Sequence, residues 1–200
     1  MNINKAIRKQ KKTYKFFMLS MCFIFILLPI ILIVSKITNM FFVIYLVCME
    51  LMIIVVTLLR VNEEYINFKL DGYKISIWCG MAKVKFIVIC KNVALVHTRD
   101  NGRNLEIIII TKSKFRNKEV KSVDKDFLKK YTYVAQMYNK LKVSDPEQMY
   151  FYFTINHGGF KKYNLLDDLY KSCVGAVFSD DAIEKIKEYK EYSINPREYK

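Results

Sequence analysis

Two apolar stretches separated by five residues constrain this chain more than any other feature. Phe16–Val34 is nineteen residues without a charge, and Met40–Leu59 is twenty residues with one, Glu50. At about 1.5 Å per helical residue, each is long enough to cross the ~30 Å hydrocarbon layer of a bilayer. Pro29 falls inside the first stretch, where a kink is tolerated better in a membrane helix than in a soluble one. A cleaved secretory signal fits poorly, because the apolar stretch is too long and a second follows at once. The expected organisation is a basic tail (1–15), membrane helix 1 (16–34), membrane helix 2 (40–59), an α+β domain (61–192) and a polar tail (193–200).

Charge orients this hairpin. Lys5, Arg8, Lys9, Lys11, Lys12 and Lys15 precede the first stretch with no acid among them, whereas the link 35–39 carries only Lys36. Arg60 and a lysine-rich segment follow the second. The positive-inside rule then places both termini in the cytoplasm and the short link outside, in a two-span protein of the cell membrane. The net charge of +14 is therefore partly a topology signal. Heavy use of Lys, Ile, Asn and Tyr, the codon bias of an AT-rich genome, accounts for part of the rest.

Glu50 lies near the middle of the second stretch. An ionised carboxylate is costly at that depth and normally faces protein or water. The first stretch offers no base to pair with it. Three readings stand: a contact with another membrane subunit or a second copy of the chain, a locally hydrogen-bonded acid without a role, or part of an ion path. Two helices alone cannot enclose a pore.

Beyond residue 61 the pattern changes to strands. Tyr65–Leu70 and Tyr73–Cys79 flank Asp71-Gly72, a hairpin signal. Lys83–Cys90 and Val93–Thr98 follow, then a turn at Arg99–Gly102 and a strand Leu105–Thr111. The run Ile107–Ile110 implies burial on both faces, hence cover by helices or a second sheet. Ser122–Lys142 reads as one helix, capped by Ser122 or Asp124, with a stripe of Val123, Phe127, Tyr131, Val134, Tyr138 and Leu141. Met149–Asn156 is a strand whose Tyr150, Phe151, Tyr152 and Phe153 suit a core with one buried face. A Gly158-Gly159 turn and a short return strand to Tyr163 come next, then helices capped at Asn164 and Asp181.

Seven short strands closed by a C-terminal helix resemble the pleckstrin-homology-like barrel, and more narrowly the bacterial domains of that kind that follow membrane helices. Tyr65–Trp78 (YINFKLDGYKISIW) and Met81–His97 (MAKVKFIVICKNVALVH) carry the resemblance, which covers roughly residues 61–163. The helix 122–142 would be an insertion between the fifth and sixth strands. The resemblance implies a non-catalytic domain that binds phospholipid headgroups, peptides or proteins, and it carries over no individual site residue. The alternative fold is another antiparallel α+β sheet covered by helices.

Candidate functional residues are few. Lys112, Lys114, Arg116 and Lys118 alternate, so in an extended chain they share a face, and Lys121, Lys125, Lys129 and Lys130 prolong the run. Such a face suits anionic lipid or an acidic partner, and in a lysine-rich chain it also suits plain solvation. No nucleic-acid motif is present. His97 and His157 lack companions at metal spacing, so no metal is expected. Asp167-Asp168 and Asp180-Asp181 read as helix-start carboxylates rather than catalytic pairs. Five cysteines without a C-x-x-C pair indicate reduced thiols. With six glycines and no phosphate-binding loop, no cofactor is implied. The reading is a non-enzymatic, membrane-anchored subunit of a bacterial membrane protein assembly. Its cytoplasmic domain would dock protein partners, and Glu50 would be its contact inside the membrane. The alternative is an anionic-lipid surface sensor.

Overall fold

The computed structural model describes residues 3–36, 39–81, 84–100, 105–115 and 117–194, with side chains from Ile7 to Ser193. Two long helices come first, α1 (Ile3–Val34) and α2 (Met40–Glu64). Both are long and apolar enough to cross a membrane. No residue of α2 is buried. The helix α1 continues through Pro29. It also begins earlier than expected: the basic segment read as a tail is helical from Ile3, so α1 extends roughly 20 Å before its apolar part starts.

The α+β domain holds two separate sheets. The first is a three-stranded meander of β1 (Ile66–Asp71), β2 (Lys74–Cys79) and β3 (Val84–Ile89), antiparallel throughout. The turn between β1 and β2 places Gly72 at φ 55°, a left-handed conformation that favours glycine, at the Asp-Gly step the sequence marks. A short 3-10 turn, Cys90–Asn92, then sends the chain out of this sheet into the second.

That second sheet contains β4 (Val93–Asp100), β5 (Leu105–Thr111), β6 (Lys121–Ser122), β7 (Phe151–Ile155) and β8 (Val177–Phe178), in the order β6-β7-β5-β4-β8. β8 joins parallel to β4 and the other pairs are antiparallel. The expected pleckstrin-homology-like barrel is thereby overturned, since neither sheet closes and the two share no ladder. One physical reason lies between β3 and β7. Phe86 stacks on Phe153 with centroids 4.8 Å apart, and Phe115 meets the same ring edge-on. Aromatic side chains fill the seam that backbone hydrogen bonds would need for closure.

β5 is central in its sheet and all seven of its residues are buried. Ile107 and Ile109 face Ile75, Ile77 and Val88 of the small sheet, together with α5 (Lys161–Ser172) and α6 (Asp180–Ile194). Ile108 and Ile110 face the opposite way, onto α3 (Lys125–Lys130) and α4 (Thr132–Ser144). The isoleucine run is thus covered on both faces, as its sequence implies. The aromatic strand departs from its reading: Tyr150 and Tyr152 join the α3–α4 side while Phe153 and Ile155 join the other, so both its faces are covered.

The helix expected at 122–142 is two helices. Asp124 caps α3, its Oδ1 accepting from the Phe127 N–H at 2.8 Å. Tyr131, at φ −123° and ψ 73°, is not helical and separates α3 from α4. Its phenol donates to Glu106 Oε1 of β5 at 2.9 Å, and satisfying that buried carboxylate fixes the break. The predicted apolar stripe nevertheless packs as one cluster. Two further expectations fail. The return strand to Tyr163 is the start of α5, and Asn164 does not cap it. Asp167-Asp168 therefore sit inside a helix, where Asp167 is buried and ion-paired to Lys171 and to Lys190 of α6. The last helix is capped by Ser179, whose Oγ accepts from Ala182 N–H at 3.3 Å, with Asp180 and Asp181 in its first turn.

Candidate functional site

Two places concentrate polar chemistry. The first is the junction between the apolar hairpin and the domain. Ile7, set among bases, is only 1% exposed and belongs to the domain core with Ile66, Leu165 and Ile186. Gln10 Nε2 donates to Glu64 Oε1 at 3.3 Å, Arg60 pairs with Glu63 and Glu64, and the Lys11 ammonium stands 4.3 Å from the centre of the Phe160 ring. The domain answers with backbone. Met81 N–H donates to Asn62 Oδ1 at 2.6 Å, and Gly158 N–H to the Glu63 carbonyl at 2.8 Å. Gly159 has φ 49°, and a Cβ there would strike the Glu64 carboxylate. The glycine pair read as a turn is therefore also a close approach between helix end and loop.

Behind this junction Lys162 is fully buried in the first turn of α5. Its ammonium donates to the Asn156 carbonyl at 2.8 Å. Burial pulls its pKa down to about 8, against the opposing pull of Glu64, Glu106 and Cys79. Burial likewise pushes the Cys79 thiol up to about 11, so this thiol is protonated and inert at neutral pH.

The second place is a cleft of about 340 Å³ between the end of β4 and the starts of α4 and α6, lined by His97, Arg99, Lys130, Tyr131, Tyr133 and Asp181 among others. His97 is 5% exposed and its ring stacks on Tyr133, centroids 5.4 Å apart. Its Nδ1 lies 2.9 Å from Ser179 Oγ. Ser179 is fully buried and its oxygen accepts from Ala182 N–H, with its other lone pair and its hydroxyl hydrogen both able to engage Nδ1. A hydroxyl that donates to Nδ1 puts the proton of the neutral ring on Nε2. Burial lowers the His97 pKa, which keeps the ring neutral at pH 7. Arg99 Cζ and Lys130 Nζ stand 5.5 and 5.0 Å from the centre of the Tyr131 ring.

The basic run is dispersed rather than gathered. Lys112, Lys114, Lys118, Lys121, Lys125, Lys129 and Lys130 are exposed, and Arg116 lies outside the described residues. Among the described residues of this segment, 112–113 bend and 118–119 turn, with Glu119 N–H donating to Asn117 Oδ1. Alternation by itself therefore does not align Lys112, Lys114 and Lys118. Lys112 follows the end of β5 and comes within 3.9 Å of Asp145, whereas Lys130 lines the cleft near the strand's other end, ~20 Å away by strand rise. The cleft end is the one near the hairpin: Ile107 pairs with Ile155, and Gly158, three residues on, bonds Glu63 of α2.

Glu50 has no hydrogen bond or ion pair with any described residue and is only partly covered. Among the described residues no group of three or more His, Cys, Asp or Glu is arranged to hold a metal ion. The predicted turn at Arg99–Gly102 falls partly outside the described residues. Sequence reasoning missed His97, Arg99 and Tyr131 as neighbours. The only local signal was the His97–Arg99 spacing of two on a strand, since their companions come from 30 to 80 positions further on. Comparison with protein-family models, with curated proteins and with solved structures finds no match to this chain.

Proposed function

We propose that this chain is a non-enzymatic, membrane-anchored subunit of a bacterial membrane protein assembly, carrying a cytoplasmic domain that docks protein partners. The single observation behind the subunit reading is Glu50. It sits mid-way along a helix with no buried residue, and no described side chain of the hairpin satisfies it. A carboxyl group at that depth is stabilised by a polar contact from another helix. Such a contact comes from a second copy or from a different subunit.

The topology reading draws support from the junction. Because Ile7 packs in the domain core and Gln10 reaches Glu64, the N-terminal turns of α1 and the domain sit together at one end of the hairpin. That end carries the bases, which supports the reading that both termini and the domain are cytoplasmic. The lipid-surface alternative has less behind it, since Lys112 and Lys130 stand at opposite ends of β5.

The test is particle mass in lipid nanodiscs or mild detergent, wild type beside Glu50→Gln and Glu50→Leu. A mass above one chain for the wild type that falls in Glu50→Leu supports the reading. One-chain particles throughout refute it. A cysteine reporter added beyond Lys200 that is labelled from outside intact cells overturns the topology.

A further inference from the structure

Two carboxylates, Asp100 and Asp181, and four nitrogen side chains, His97, Arg99, Lys130 and Lys185, line the cleft beside β4. β8 covers only Leu95 and Val96, and Ser179 N–H donates to the Val96 carbonyl. Backbone groups alternate along a strand, so the N–H and C=O of Thr98 point to that same side, where no strand continues. The Thr98 hydroxyl is buried with no partner. His97 is nineteen-twentieths buried, and its Nε2 has no partner among the described residues. This nitrogen is not closed off from solvent, as the Thr98 hydroxyl is, so it opens on the cleft that the ring lines. Arg99 and Lys130 have no carboxylate within 4.0 Å among the described residues, because Glu106, which faces Arg99 across the ladder, takes the Tyr131 phenol instead.

We infer that this cleft binds the phosphate group of a small molecule. With the Ser179 hydroxyl donating to Nδ1, the His97 Nε2–H joins the Arg99 guanidinium and the Lys130 ammonium as donors, two of them charged, arriving from the strand and from the end of α3. Charge-assisted bonds of this kind suit phosphate oxygens. Three donor side chains exceed what the two oxygens of one carboxylate readily engage. The stacked His97 and Tyr133 rings form a flat flank for the body that carries the phosphate. Asp100 and Asp181, which also line the cleft, disfavour a polyanion and select a ligand with a single phosphate. The cleft lies at the hairpin end of the domain, so the same chemistry has two sources, a soluble phosphate ester or the headgroup of a phospholipid.

The full chain, in detergent and in nanodiscs, distinguishes these at constant ionic strength. Glycerol 3-phosphate is titrated in detergent, and nanodiscs of phosphatidylcholine are compared with nanodiscs containing phosphatidic acid. The His97 Nε2 resonance is followed by 15N NMR, alongside the double variant Arg99→Gln/Lys130→Gln, both exposed positions. Saturable binding of glycerol 3-phosphate that shifts Nε2 and weakens at least tenfold in the double variant identifies a soluble ligand. An Nε2 shift seen only with phosphatidic acid and abolished in the double variant identifies a headgroup. Absence of both responses, or equal affinity in the double variant with unchanged melting, overturns the inference.

Discussion

The helix α2 and the strand β5 are both built almost wholly from large apolar residues, yet none of the 25 residues of α2 is buried and all seven of β5 are. The difference is what the rest of the chain supplies. β5 has the small sheet with α5 and α6 on one side and α3 and α4 on the other. Apart from its last turn, which meets the domain, α2 has only α1 beside it among the described residues. A 25-residue, largely apolar helix exposed in water would carry a large unfavourable hydration term, which favours lipid or other helices as the surroundings of α2. The same apolar character records an internal core in one region and an external medium in the other.

The sharpest way to break this comparison is to truncate each region equally. Ile109→Ala in β5 should cost about 3–4 kcal/mol of domain stability, since a fully buried side chain leaves a cavity its neighbours cannot refill. Leu51→Ala on the 56%-exposed surface of α2 should leave the domain's melting unchanged. The single tryptophan, Trp78 in β2, reports the transition by fluorescence. Equal losses at the two sites would mean that the hairpin surface is part of the folded core.

The boundary between the regions gives the next test. Ile7 precedes the apolar part of α1 but packs as β5 does. Ile7→Ala should cost about 2–3 kcal/mol and should make the segment before Phe16 cleavable by protease, with α2 still in place. A variant as stable and as resistant as the wild type would reduce the junction to a simple tether.

What was legible in the sequence follows the same division. Local patterns carried the apolar spans, the Asp71-Gly72 hairpin, the two-faced burial of Ile107–Ile110 and the stripe from Val123 to Leu141, because each depends on residues within one or two turns of each other. The failures depend on distant partners. Whether β3 meets β7 by backbone or by Phe86 and Phe153 decides barrel against open sheets, and no period records it. Tyr131 breaks its helix to satisfy Glu106, 25 residues earlier. The donors of the cleft come from β4 and the end of α3, and Ser179, which engages the His97 ring, is 82 residues from it.

A smaller effect sharpens the α3–α4 side of β5. Asp124→Ala removes the one side-chain cap of α3 and should cost about 1 kcal/mol, with Asp124→Ser restoring most of it. No loss in either variant would show that packing against Ile108 and Ile110 alone holds α3.

The smallest effect tests the buried charge behind the junction. The Lys162 ammonium has a folded pKa of about 8 against an ordinary value of 10.5. Between these values the unfolded chain binds the proton that the folded chain has lost, so stability rises with pH across this window. Cys79 acts in the opposite sense, because its folded pKa of about 11 lies above the ordinary 9.0, and it withdraws stability as pH rises beyond 9. From pH 8 to 9 Lys162 adds about 1 kcal/mol, part of which Cys79 and Cys173, both held protonated by burial, withdraw. The gain of the wild type over Lys162→Met, which fills the same space, isolates the Lys162 share, and chemical denaturation at the two pH values measures it. A gain that persists in the variant would assign the titration to another group. A wild type with no gain over the variant would mean that Glu64 and Glu106 hold Lys162 charged in the folded chain, making the ion cluster, rather than desolvation, the dominant influence on the ammonium beneath the hairpin.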